Sequence, residues 1–404
     1  MLLLYNTAIQ LYFLAIRLVA NFNKKAALWI AGRKQQLIQN QDNSIWFHFA
    51  SLGEFEQGRP VVEAIKKRKP GVPVVITFFS PSGYEIRKNT PLADAVYYLP
   101  LDTATNAAEF INTIKPQMAI FTKYEYWYHF FNVLHKKDIP VYMISSIFRQ
   151  DQIFFKWYGS LYRQMLGMVN HFFVQDENSK SLLGSIGFNN VTVNGDTRFD
   201  RVWANANHPN ELPLIHLFKN NYPVFIAGST WPQDEQLLAA LINRYPQWKF
   251  IFAPHEVGED KIESLIKLLP SDRTIRFSTL SANEQLASKN QVLVIDNIGM
   301  LSSLYQYGEI AYIGGGFGVG IHNTLEAAAF GLPVIFGPKY QKFKEARDLI
   351  ALKAGISINN QEALNNAADL FINDTTYREL ASKKIKQYVQ ENTGATAAIL
   401  NKIG

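Results

Sequence analysis

From Ser44 onward the chain repeats one pattern: a short apolar run, then a segment with helical spacing, then another run. The runs are Ile45–Ala50, Pro73–Ser80, Ala95–Leu99, Met118–Thr122, Pro140–Ser145, His171–Gln175 and Val191–Asn194. After a polar stretch, Trp203–Asn210, come Pro223–Gly228, Lys249–Pro254, Thr274–Ser278, Gln291–Asp296, Ile310–Gly314 and Pro333–Phe336. Helical windows between them include Pro60–Arg68, Thr105–Ile114, Gln236–Asn243 and Leu325–Phe330. Such runs suit strands covered on both faces, and their alternation with helices specifies parallel sheets. Two series predict an α/β chain of two Rossmann-like domains, residues 44–202 and 211–360, joined by a linker at 203–210. Residues 361–404 read as helices, the last expected to pack back on the first domain.

What precedes Ser44 differs. The net charge of +6 is uneven: Arg17, Lys24, Lys25, Arg33 and Lys34 precede the first acid, Asp42. The near-neutral remainder argues against a nucleic-acid partner. Residues 1–34 form a separate region, opening with a helix rich in leucine and aromatics. At about 100° per residue, Asn6, Gln10, Arg17, Asn21 and Lys24 fall on one narrow stripe. A secretory signal would carry its charge before the apolar run. A membrane span would bury Arg17 at a cost of ~2.5–3.5 kcal/mol. An interfacial amphipathic helix is the preferred reading, with a helix packed on the protein's own core as the alternative. Charge just after the apolar run points to a cytoplasmic remainder. The chain has no cysteine, which excludes disulfides, cysteine-ligated zinc and a thiol nucleophile.

In sheets of this kind ligands bind beyond the carboxyl ends of the strands. The first strand runs into Ser51-Leu52-Gly53-Glu54, where an acid at a helix start is expected to titrate low unless desolvated. Facing a hydroxyl, Glu54 could serve as a general base. Lys123 and Glu125 stand among aromatics after the fourth run, and Arg149 follows the fifth. In the second series, Ser229 and Thr230 follow a small-residue strand end. The strongest local signal is the glycine loop from Gly314, Gly315 and Gly316 through His322 and Asn323 to Glu326, which suits an anion held by backbone N–H groups. It does not follow the G-x-G-x-x-G register, and no P-loop lysine is present. The eight histidines show no metal-ligand spacing, so no metal is expected.

In order along the chain stand A-S-x-G-E, S-P-S-G, Y-L-P-L-D, E-Y-W, N-G-D-x-R-F-D, A-G-S-T-x-P, G-G-G…H-N-x-L-E and G-x-P-V-x-F-G-P. This ordered set resembles the 3-deoxy-D-manno-octulosonic acid (Kdo) transferases of lipopolysaccharide synthesis, from the N-terminus to about Asp348. The resemblance implies the GT-B glycosyltransferase fold, with two Rossmann-like domains facing a cleft. It also implies inverting transfer of Kdo from the donor substrate CMP-Kdo to a hydroxyl of a lipid A precursor. No further cofactor is implied. The expected location is the cytoplasmic face of the bacterial inner membrane, peripheral or held by one helix.

Residue by residue, the resemblance makes Glu54 the general base. Ser51, Gly53, Lys123, Glu125 and Arg149 fall on the acceptor or Kdo side. Ser229, Thr230, His255, Gly314, Gly315, Gly316, His322, Asn323, Glu326, Gly337 and Pro338 fall on the CMP side, with Glu326 on the ribose. Two positions depart from the family pattern. Lys123 stands where an acid is common. Pro254-His255-Glu256 replaces P-R-H, leaving His255, His322 or Lys339 to meet the donor phosphate. The competing functions are another GT-B enzyme using a UDP-sugar, or a non-catalytic nucleotide-sugar-binding protein at the membrane.

Overall fold

The computed structural model describes residues 1–287 and 289–404. The central apolar runs become strands buried on both faces: all five residues of β1 (Ile45–Phe49), β2 (Val74–Phe78) and β4 (Met118–Thr122) are buried. With β3 (Ala95–Tyr98), β5 (Val141–Ser146), β6 (His171–Val174) and β7 (Val191–Val193) they form one parallel sheet, ordered β3-β2-β1-β4-β5-β6-β7. The second sheet contains β8 (Val224–Thr230), β9 (Lys249–Pro254), β10 (Thr274–Arg276), β11 (Val292–Val294), β12 (Ile310–Ile313), β13 (Val334–Phe336) and β14 (Gly355–Ser357). It is also parallel, ordered β10-β11-β9-β8-β12-β13-β14. Each sheet centres one compact unit: Met1–Asp200 with Thr393–Gly404, and Arg201–Asn392.

The boundary between the units corrects the sequence expectation. Residues 203–207 are not linker. They complete a helix, Thr197–Asn207, within which the chain leaves the first unit. The second crossing lies at Asn392–Thr393, among the C-terminal helices of which the last was expected to pack on the first domain. Helices Gln361–Asn373 and Thr375–Glu391 belong to the second unit. The last helix, Ala395–Ile403, belongs to the first, where Ile399 joins the core beside Phe47 and Val62. Asp200 anchors it by accepting the N–H groups of Gly394 (2.5 Å) and Thr396 (2.6 Å).

Two helices precede β1. Helix α1 (Leu2–Val19) ends before Asn23, whose side chain caps α2 (Lys24–Gln35) through the N–H groups of Lys25 and Ala26. Asn21 and Lys24 therefore lie beyond α1, and its polar stripe stops at Arg17. Tyr5, Ile9, Phe13 and Ile16 of α1 are half-buried against the first unit, while Leu4, Leu11 and Leu18 point away, 60–69% exposed. Tyr5 donates to Asp102 (2.5 Å), and Asn6 meets His129 Nε2 (2.7 Å). This docking lays α1 along the unit with one greasy face uncovered.

The helix after β1 also departs from expectation. Pro60 looked like a helix start, where its missing N–H costs nothing. Instead it lies inside α3 (Leu52–Arg68), buried, and the helix begins at once after Ser51. That early start is what places Glu54.

Candidate active site

In the first unit the strand order reverses between β1 and β4, the point where such sheets open a crevice for ligands. Glu54 follows β1 and Glu125 follows β4. Glu54 is the third residue of α3, and its Oε2 accepts the Ala50 N–H (2.5 Å). A helix N-terminus favours the carboxylate, yet the Glu54 pKa is raised to about 7. Burial is the main cause and the Glu125 charge the next, opposed by the Ala50 N–H and Lys123. Desolvation thus outweighs the helix end, and Glu54 is poised to exchange a proton near neutrality. Gly53 is exposed; a side chain there would meet nothing nearer than Ser51 Oγ at 3.9 Å, so the approach over the turn is open.

Glu125 is held by a buried chain that sequence reasoning missed. Its Oε2 accepts from Trp127 Nε1 (3.0 Å) and lies 3.0 Å from His48 Nε2. His48 Nδ1 lies 2.8 Å from Thr77 Oγ1, which also accepts Trp46 Nε1 (2.8 Å). Indole nitrogen only donates, so the Thr77 proton is left for His48 Nδ1 or for Phe47 O at 3.3 Å. In the first arrangement His48 carries its proton on Nε2 and gives it to Glu125. The available signal was a histidine in a strand whose every position is covered, where a polar group needs partners.

Of the remaining acceptor-side residues, Ser51 caps α3 without a side-chain bond. Lys123 takes a left-handed backbone (φ 60°) at the end of β4. Arg149 is exposed.

In the second unit the order reverses between β8 and β12. Three loops meet there backbone to backbone. A Cβ on Gly314 would fall 2.1 Å from Ser229 O, and one on Gly316 2.6 Å from Gly337 Cα. Close approach is therefore what these glycines serve. Gly314 N–H already donates to Gly228 O (2.9 Å) and Gly315 N–H to Asp234 Oδ2 (3.0 Å). Two of the three amides expected to hold an anion are thus engaged within the protein; the Gly316 N–H has no partner among the described residues. Thr230 is likewise occupied, its buried hydroxyl donating to Glu235 Oε1 (2.9 Å). Ser229 turns the chain in a left-handed conformation (φ 53°), and Pro338 follows buried Gly337 half-exposed.

Trp231, His255 and His322 stack, with centroid separations of 4.8 and 4.4 Å. Trp231 Nε1 donates to His322 Nε2 (3.1 Å). His322 must then carry its proton on Nδ1. Burial, with His255 beside it, pushes the His322 pKa down to about 4. Of the three groups expected to meet a phosphate, His322 is therefore a neutral donor at pH 7. Lys339 is exposed, its Nζ donating to Gly318 O (2.6 Å). Asn323 Oδ1 accepts the Leu325 N–H, and its Nδ2 donates to Glu326 Oε1 (3.2 Å). Burial raises the Glu326 pKa against the pull of Asn323 and Arg201, and Arg201 is a neighbour the sequence did not reveal. Among the described residues, no three His, Asp or Glu side chains are grouped to hold a metal ion.

Comparison with known proteins fits this geometry. Residues 24–201 match the profile described as 3-deoxy-D-manno-octulosonic-acid transferase (kdotransferase). A 3-deoxy-D-manno-octulosonic acid transferase of Haemophilus influenzae is 27% identical over 88% of this chain and 86% of its own. One from Rickettsia bellii is 28% identical over 87% and 84%. In fold, the chain is similar to the UDP-GlcNAc 2-epimerase of Neisseria meningitidis, with a TM-score of 0.60 at 15% identity, covering 89% of this chain and 99% of that one. Its two parallel seven-stranded sheets make it a GT-B fold. Along nearly nine-tenths of its length the chain is similar to curated 3-deoxy-D-manno-octulosonic acid transferases, and residues 24–201 match the model of that family.

Proposed function

We propose that the protein moves a Kdo unit from CMP-Kdo to a hydroxyl of a lipid A precursor, with inversion, as a peripheral enzyme on the cytoplasmic face of a membrane. The observation that carries this reading is the carboxylate pair at the β1/β4 switch point. Glu54 is a base tuned near neutrality; Glu125 is fixed beside it as an acceptor. Glu54 takes the proton of the acceptor hydroxyl as its oxygen attacks the anomeric carbon. The bond from that carbon to the CMP phosphate breaks, and CMP leaves with the electron pair. Ser51, Gly53, Lys123 and Arg149 are assigned to the acceptor and the sugar carboxylate.

CMP is assigned to the second unit. Asn323 and Glu326 take the ribose hydroxyls, Gly337 and Pro338 border the base, and Ser229 lies on the phosphate side. The Gly316 N–H, His322 Nδ1–H, the exposed His255 ring and Lys339 are the donors left for the phosphate; Lys339 brings a standing positive charge. The uncovered leucine face of α1 supports a peripheral footing, since insertion as a span would break the Tyr5–Asp102 and Asn6–His129 contacts.

The test is incubation of the full chain with CMP-Kdo and a tetra-acylated lipid A precursor in mixed micelles, followed by mass analysis of the lipid. Product that requires CMP-Kdo, and disappears in Glu54→Gln, supports the reading. Absence of product with intact CMP binding refutes the transfer. Displacement of bound CMP by UDP at equal concentration would instead favour a uridine donor.

A further inference from the structure

A cavity of about 720 Å³ lies apart from both strand-end sites, between α1, α2 and the segment after β3. That volume falls within the ~300–1,000 Å³ of small-ligand sites. None of its walls comes from the loops that hold Glu54 and Glu125. Phe13, Leu37 and Phe110 make it greasy. Arg17, Arg33 and Lys34 make it cationic, against one acid, Glu109.

Arg17 and Lys34 are exposed and have no ion-pair partner among the described residues. Arg33 is half-buried, with its guanidinium 3.6 Å over the Trp29 ring. It donates to the carbonyls of Leu99 (2.8 Å), Phe79 (2.8 Å) and Trp29 (3.3 Å). Carbonyls satisfy its hydrogen bonds but not its charge, and burial pushes its pKa down to about 9. An anion at the mouth would complete this environment.

The position of the mouth indicates where that anion comes from. On α1, Phe13 and Arg17 border the exposed leucine face; Leu14 follows Arg17 by only ~60° around the axis. If that face lies in a bilayer interface, the cavity opens at headgroup depth, with an apolar interior behind a basic rim.

We infer that this cavity binds one anionic phospholipid of the bilayer, its phosphate on Arg17 and Lys34 before Arg33 and an acyl chain against Phe13, Leu37 and Phe110. The inference rests on the interfacial reading of α1. The site holds a resident lipid, distinct from the acceptor.

The experiment uses the full chain in mild detergent, titrated with dioleoylphosphatidylglycerol or dioleoylphosphatidylcholine and followed by native mass spectrometry. One saturable phosphatidylglycerol per chain is expected, with binding at least about tenfold weaker for phosphatidylcholine and for the double variant Arg17→Gln/Lys34→Gln. Both side chains are exposed, so that variant should keep the parent melting temperature. Equal binding of the two lipids, or undiminished binding by the variant, overturns the proposal. So does full displacement of the lipid by millimolar inorganic phosphate, which would mark a plain anion site. A second pair, Leu11→Ser/Leu18→Ser, separates the two layers of the argument. It should abolish sedimentation with phosphatidylglycerol vesicles while the detergent adduct survives. If vesicle binding persists, the reading of α1 fails; if the adduct alone is absent in the parent chain, the cavity assignment fails.

Discussion

Replacing Glu125 by glutamine removes a charge and keeps a shape. The amide oxygen of the new side chain could still accept from His48 and Trp127, so the loop should stay in place. What changes is the field on Glu54. The Glu54 carboxyl stands at about 7 against an ordinary 4.5, a rise of about 2.5 units or ~3.4 kcal/mol. Burial is the largest cause and the Glu125 charge the next. As the second cause, the Glu125 charge should return the smaller part when residue 125 is neutralised, a fall on the order of 0.5–1 in the Glu54 pKa or ~0.7–1.4 kcal/mol.

The assay follows the acid limb of kcat/KM for transfer, measured from about pH 5 to 9. Its midpoint should move from near 7 to near 6–6.5, so that at pH 6 the ionised fraction of the base rises from ~10% towards ~25–50%. A direct counterpart, independent of turnover, is carbon-13 NMR of labelled glutamate carboxyls, with Glu54 assigned by its loss in Glu54→Gln. An unchanged midpoint would mean that Glu125 does not act on Glu54 through charge. An upward shift would mean that the pair is held by a shared proton. Either result refutes the reasoning.

Other outcomes follow from the same geometry. Glu54→Gln should abolish transfer and leave CMP affinity intact, as calorimetry can show. It should also stabilise the fold: a carboxyl raised in the folded state binds its proton more tightly than in the unfolded chain, so its contribution turns into a penalty as pH climbs from 4.5 to 7 and beyond. Allowing for partial exposure, the gain at pH 8 is about 1–3 kcal/mol by denaturant unfolding, and near zero at pH 4. Nitrogen-15 NMR should find His322 as the neutral Nδ1–H tautomer at pH 7 and unchanged down to about pH 5; a midpoint near 6.5 would refute its assignment as a neutral donor. Asp200→Ala should cost about 1–3 kcal/mol by removing both N–H contacts of the last helix, and should raise proteolysis near Thr393.

Thirteen of the fourteen strands described are legible in the sequence, most plainly β1, β2, β4, β6 and β12, whose every residue is buried and whose runs are largely apolar. The exception, β14, is three residues beginning with glycine at a sheet edge, too short for any period to show. Local sequence misled at Pro60, where burial of α3 against the sheet overrode the preference of proline for a helix start. It misled again at 203–210, where polar composition describes a helix surface as well as a loop. Glu54 and Glu125 were legible because they follow strands. The Trp46–Thr77–His48 chain was not, since β1 register with β2 is needed to bring His48 opposite Thr77. The glycine loop was visible as a loop, but whether its amides face a ligand or a neighbouring backbone depends on three segments far apart in the chain.

The return of Ala395–Ile403 to the first unit bears on the order in which the molecule can be built. As the polypeptide leaves the ribosome, all of Arg201–Asn392 is available before the other unit has its last core residues, Ile399 and Ile403. The unit made second can therefore finish first. The unit carrying Glu54 must wait, its apolar seam open beside Phe47 and Val62, until residues 393–404 emerge. A chain cut before residue 393 would hold every residue of the second unit and leave the unit carrying Glu54 without Ile399 and Ile403.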